Sequence, residues 1–130
     1  TVILDFRCLV YDQASSALSY AFTYVSIDAG GTWVGAEVTA VNFYGPQSGV
    51  GLGPQAQNDQ RSLLVTADGG KTWKKTYTVT WPEAQLDWVD PAHSWAVARR
   101  WNDETGQYDY ALVFTRSGGD RWELIEAHIQ

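Results

Sequence analysis

Short apolar runs alternate with Gly-, Pro- and Asx-rich turns along the whole chain. Residues 2–11, 19–27 and 33–37 form a first group of runs rich in β-branched and aromatic side chains. A second group occupies 38–43, 48–53, 61–67 and 72–79, and a third 86–90, 94–101, 108–115 and 121–127. Runs of this length bounded by turn residues predict strands. Gly45-Pro46-Gln47-Ser48-Gly49 reads as a turn and Gly53 to Gln60 as a polar loop. Trp101 to Gln107 reads as a long hairpin tip. No segment of ten or more residues carries a convincing helical period, and Ala14 to Leu18 makes one turn at most. The expected fold class is all-β.

Self-similarity organises these strands. Ser26-Ile27-Asp28-Ala29-Gly30-Gly31-Thr32-Trp33 and Thr66-Ala67-Asp68-Gly69-Gly70-Lys71-Thr72-Trp73 share a hydroxyl, an Asp, a Gly, a Thr and a Trp at fixed positions. Thr115-Arg116-Ser117-Gly118-Gly119-Asp120-Arg121-Trp122 is a decayed third copy. It keeps Thr115, Gly119 and Trp122 but carries Ser117 for the Asp and Arg121 for the Thr. Asp28 and Asp68 lie 40 residues apart, and Asp68 and Ser117 lie 49 apart, a period that suits a four-stranded unit. A tight hairpin needs positive φ, which Gly supplies without a Cβ clash. The Asp accepts hydrogen bonds from the turn's own amides, and the Trp drops an apolar anchor beneath it. Ser117 is expected to do the accepting job more weakly.

These three segments resemble the Asp-box, or BNR repeat, of sialidases, sortilin-type receptors and the photosystem II assembly-factor (Ycf48-like) propellers. The runs Ser48-Gly49-Val50-Gly51-Leu52-Gly53 and His93-Ser94-Trp95-Ala96-Val97 resemble the Gly-Trp-Ala-Val-Gly strand of the last group. The resemblance implies a partial β-propeller of about three four-stranded blades with the box joining the third and fourth strands. The blades would span about 1–37, 38–80 and 81–130, the first lacking its opening strand. Propellers take typically four to eight blades, so three do not close a ring. The expectation is a fragment of a larger propeller, or a second copy completing the ring. The absence of Met and the ragged start support the first. The resemblance also implies an extracytoplasmic site, whether secreted, periplasmic or lumenal.

Composition narrows the chemistry. The 130 residues are 45% hydrophobic with net charge −6, and nine Lys+Arg argue against nonspecific nucleic-acid binding. No apolar stretch approaches the roughly 18 residues of a helical membrane span, so no membrane insertion is expected. Thr1 to Phe6 lack the basic and small-residue features of a signal peptide. Cys8 alone forms no internal disulfide or paired-Cys zinc site and reads as a buried, inert thiol.

Asp28 and Asp68 read as turn staples, because they lack the Asp ladder and terminal Glu of a calcium loop. Asp87, Asp90, Asp103, Glu104 and Asp109 read as solvated surface, although glycoside hydrolysis does need two such acids. His93 reads as a turn residue, and His128 sits in no catalytic pattern. Phe6-Arg7-Cys8-Leu9 only faintly echoes the Arg-Ile-Pro motif of sialidases, so no catalytic residue is carried over. Trp33, Trp73 and Trp122 read as box anchors, and Trp88 and Trp95 as packing between blades. Arg99, Arg100, Trp101, Tyr108, Trp81 and Tyr44 form the candidate binding set, with adjacent Arg99 and Arg100 on opposite strand faces. The four aromatics of this set fall at strand ends or loops, where packing is the stronger reading and a sugar-stacking or peptide-docking surface the other. The function expected is noncatalytic binding or scaffolding toward a protein or glycan, with no metal and no cofactor. The alternative is a fragment of a sialidase-like or other propeller glycoside hydrolase.

Overall fold

The structure, a computed structural model, describes residues 1–11 and 17–126. The expected turn near Ala14 and the residue His128 lie outside the described residues, as does the side chain of Cys8. Eleven strands follow one another: β1 (Val2–Tyr11), β2 (Ala17–Ser26), β3 (Val34–Ala36), β4 (Thr39–Phe43), β5 (Gly49–Gln55), β6 (Arg61–Thr66), β7 (Lys74–Val79), β8 (Glu83–Trp88), β9 (Ser94–Asn102), β10 (Gln107–Thr115) and β11 (Glu123–Leu124). A 3-10 turn at Gln57–Asp59 interrupts the loop after β5. The strands form three antiparallel meanders, β1-β2-β3, β4-β5-β6-β7 and β8-β9-β10-β11. The described residues are therefore all-β with three sheets, of which two have four strands and the first has three. Among the described residues the sheets do not close into a ring.

Each box connects the last two strands of its sheet, between β2 and β3, β6 and β7, and β10 and β11. The local pattern fixes those positions, and long-range contacts move the ends. β8 begins at Glu83, earlier than the apolar run at 86 suggests, because Glu83 pairs across the ladder with Arg99. β11 is confined to Glu123–Leu124. Arg121 and Trp122 serve the box instead: Ser117 Oγ accepts the Arg121 N–H at 2.9 Å, and Trp122 Nε1 donates to Gly119 O at 3.1 Å.

Sheet packs on sheet in chain order. The first and second meet along β2 and β4, and the second and third along β4 and β8. The core lies between the second and third sheets and comprises Val50, Leu52, Leu63, Val79, Leu86, Trp88, Ala96 and Val113. Burying a side chain such as Leu63 contributes roughly 1.5–3 kcal/mol. The core is closed at one edge by aromatic rings: Trp122 meets Trp81 edge-on at 5.4 Å and Trp88 at 6.3 Å. Asn42 Oδ1 accepts the Trp88 backbone N–H at 3.0 Å and ties the second sheet to the third.

Two tryptophans differ from the expected packing. Trp95 is exposed on the outer face of the third sheet, tilted against Phe114 at 4.9 Å, because no sheet among the described residues covers that face. Trp33 is exposed, whereas Trp122 finds Trp81 and Trp88 to pack against.

Candidate functional site

The box carboxylates are fully engaged by their own turns. Asp28 Oδ1 accepts from Ser26 Oγ at 2.9 Å and from the Thr32 N–H at 2.8 Å, while Oδ2 accepts from Thr32 Oγ1 at 2.7 Å. Asp68 repeats this with Thr66 Oγ1 at 2.8 Å, the Thr72 N–H at 2.9 Å and Thr72 Oγ1 at 2.6 Å. The threonine hydroxyl and amide hold each carboxyl at a pKa of about 2, below the ordinary 3.8. The opening hydroxyl in turn accepts the Gly N–H: Ser26 from Gly30 at 2.8 Å, Thr66 from Gly70 at 2.9 Å and Thr115 from Gly119 at 3.1 Å. Ser117 stands in for the Asp with one hydroxyl, which accepts from Arg121.

The glycines do more than turn. Gly70 and Gly119 have φ of +88° and +97°, and each lies against the preceding sheet. A Cβ on Gly70 would come within 3.3 Å of Val25, and one on Gly119 within 2.3 Å of Leu63. The same turns grip their own sheets, since the Gly69 N–H donates to Gln47 O and the Gly118 N–H to Ala92 O, both at 2.9 Å. At the Gly69 position the first box carries Ala29, also at positive φ (56°). A Cβ on Gly69 would meet Ile27 of the first box at 2.5 Å, so it is this contact, more than the backbone conformation that Ala29 also adopts, that selects glycine there.

The candidate binding residues separate into two groups. Arg99, Arg100, Trp101 and Tyr108 come together at the tip of the β9–β10 hairpin, around a hollow of about 270 Å³. Trp101 faces Tyr108 across the ladder, edge-on at 5.2 Å, and the Arg99 guanidinium lies 4.8 Å from the Tyr108 ring centre. Arg99 also forms an ion pair with Glu83, which raises the Arg99 pKa. Arg100 pairs in register with Asp109 and so projects from the other face. Tyr44 and Trp81 are drawn inward instead. Both pack against the core cluster, Tyr44 beside Trp88 at 6.5 Å and Trp81 beside Trp122.

A larger cleft of about 1150 Å³ runs along the edge strands β4 and β8 and onto the outer face of the third sheet, lined by Thr39, Arg61, Glu83, Val97, Arg99 and Tyr110 among others. Sequence reasoning passed over Arg61 and Glu83. Arg61 donates from Nε to Gly53 O at 2.7 Å, from Nη1 to Pro82 O at 3.0 Å and from Nη2 to Thr39 Oγ1 at 2.9 Å. Burial lowers its pKa and nearby Glu83 opposes the shift. The signal was a lone Arg opening the apolar run Arg61-Ser62-Leu63-Leu64-Val65. Its partners lie in other strands and segments, so the sequence did not reveal them.

The other acids are occupied or scattered. Asp90 accepts the Ala92 N–H at 2.8 Å, the His93 N–H at 2.9 Å and a contact from His93 Nδ1 at 2.9 Å, so His93 sits in a turn. These bonds, led by the Ala92 amide, lower the Asp90 pKa. Asp109 Oδ2 accepts from Asn102 Nδ2 at 3.0 Å.

Residues 64–75, the second box and its flanks, match the BNR/Asp-box repeat. No curated protein and no solved structure gives a match to the chain.

Proposed function

We propose that the three sheets are successive blades of a β-propeller and that the chain is a noncatalytic binding or scaffolding module. Its partner, a protein or a glycan, meets the tip of the β9–β10 hairpin. The observation that carries this reading is the clustering of Trp101, Tyr108 and Arg99 around one hollow, while the box carboxylates are consumed by their turns. Exposed rings supply stacking area, and a guanidinium held against one of them supplies directional donors. Residues of these types dominate binding energy at interfaces.

The test is a screen of the chain against immobilised glycans and candidate peptides, followed by titration of the hit. Trp101→Ala and Tyr108→Ala should each weaken binding by about tenfold or more, with the near-ultraviolet dichroism of the fold kept. Binding unchanged in the double variant removes the tip as the site. Glycan turnover by the chain, abolished by Glu83→Gln in the larger cleft, overturns the noncatalytic reading.

A further inference from the structure

We infer that this chain associates head to tail with a second copy of itself, the outer face of the third sheet receiving the first sheet of the other copy. The molecule shows twice how one of its sheets seats on another. Gly70 of the second box rests on Val25, and Gly119 of the third box rests on Leu63. The receiving face of the second sheet is then sealed: Val50, Leu52 and Leu63 are 1%, 0% and 0% exposed.

Strand register identifies the same positions on the third sheet. Gly49 pairs with Thr66 and Ser94 with Thr115, each at the start of a box. Counting from there, Trp95, Val97 and Leu112 correspond to Val50, Leu52 and Leu63. They are 41%, 43% and 41% exposed. Three neighbouring apolar side chains at about two-fifths exposure, in positions that are sealed on the second sheet, are the kind of surface that interaction sites use.

The opposite end of the stack carries the matching part. Gly30, the equivalent of Gly70 and Gly119, is exposed, and a Cβ there would meet only Trp33 of its own turn, at 3.7 Å. Val2, Leu4 and Phe22 are exposed on the outer face of the same sheet. One molecule thus presents an unfilled receiving face and an unseated box, in the geometry its own sheets already use. The contact joins two different surfaces, so it closes into a ring or propagates according to its rotation. The hairpin-tip site lies further along the same face: on β5, Pro54 and Gln55 remain exposed just beyond Leu52, so sheet stacking stops short of that end.

Sedimentation equilibrium over a range of concentrations tests this. The wild-type chain of 14.5 kDa should sediment at twice that mass or more. Leu112→Glu and Leu4→Glu should each sediment as monomers, and an equimolar mixture should regain the doubled mass, because each variant keeps one intact face. Val97→Glu serves in place of Leu112→Glu if the latter loses its near-ultraviolet dichroism. Trp101→Ala should keep the wild-type mass, which separates this inference from the proposed partner site. A monomeric wild type at every concentration, an unaffected Leu4→Glu, or a mixture that stays monomeric overturns the proposal.

Discussion

Asp68 gathers three donors on a carboxylate in the second box, whereas Ser117 in the third offers a single hydroxyl to Arg121. The two turns nevertheless share their inner half. Thr66 and Thr115 are both buried, each accepts a glycine N–H, and each glycine lies on the preceding sheet. The difference teaches which part of the motif the fold demands. Hydroxyl and glycine face inward and set the turn and its docking. The carboxylate faces solvent and reinforces the exposed half, so its loss at Ser117 is tolerated.

Three measurements break or sharpen this contrast. The largest effect is expected for Gly119→Ala, which forces a Cβ to 2.3 Å from buried Leu63 at a φ of +97°. Overpacking and the left-handed backbone together should cost about 2–5 kcal/mol in urea unfolding. Gly106→Ala is the control: its φ is +67° and nothing lies within 4 Å, so about 1–2 kcal/mol is expected. Equal costs would mean that docking on Leu63 contributes nothing.

Thr115→Val comes next. It keeps the shape but leaves the buried Gly119 N–H without its acceptor, at a cost of about 1–3 kcal/mol. Thr115→Ser should recover most of that loss. A valine variant as stable as wild type would show that the hydroxyl is dispensable.

The carboxylates give the smallest effect and a pH signature. Asp28 and Asp68 have folded pKa values of about 2, depressed from 3.8. A depressed acid stabilises the fold fully above its unfolded pKa, and that contribution disappears as pH falls through the folded value. Melting temperature should therefore fall between about pH 4 and pH 2. The double variant Asp28→Asn, Asp68→Asn should show a shallower fall over the same window. Identical slopes would remove the boxes from acid stability.

Much of this was legible in the sequence because the box is local. Its hydroxyl, acid, glycine and tryptophan lie within eight consecutive residues and bond to one another. Strands such as β6 and β9 were legible from their apolar runs. What escaped notice depends on partners far along the chain. Tyr44 and Trp81 fall at strand ends or loops, where the pattern fits packing or a binding surface; Trp88 and Trp122, far along the chain, draw them inward. Trp95 read as packing between sheets, but the face it occupies is uncovered. Arg61 joins Gly53, Pro82 and Thr39, three places that no local pattern connects. At the hairpin tip, the clustering of Arg99, Trp101 and Tyr108 followed from their closeness in one hairpin, while the tether from Glu83 did not.

The bonds from Gly69 to Gln47 and from Gly118 to Ala92 clasp two loops that are distant in sequence. Breaking either bond frees both of the loops it joins, which couples their opening locally. In deuterium exchange the Gly69 and Gly118 amides would thus report the opening of those loops, and their protection would rank the second sheet against the third.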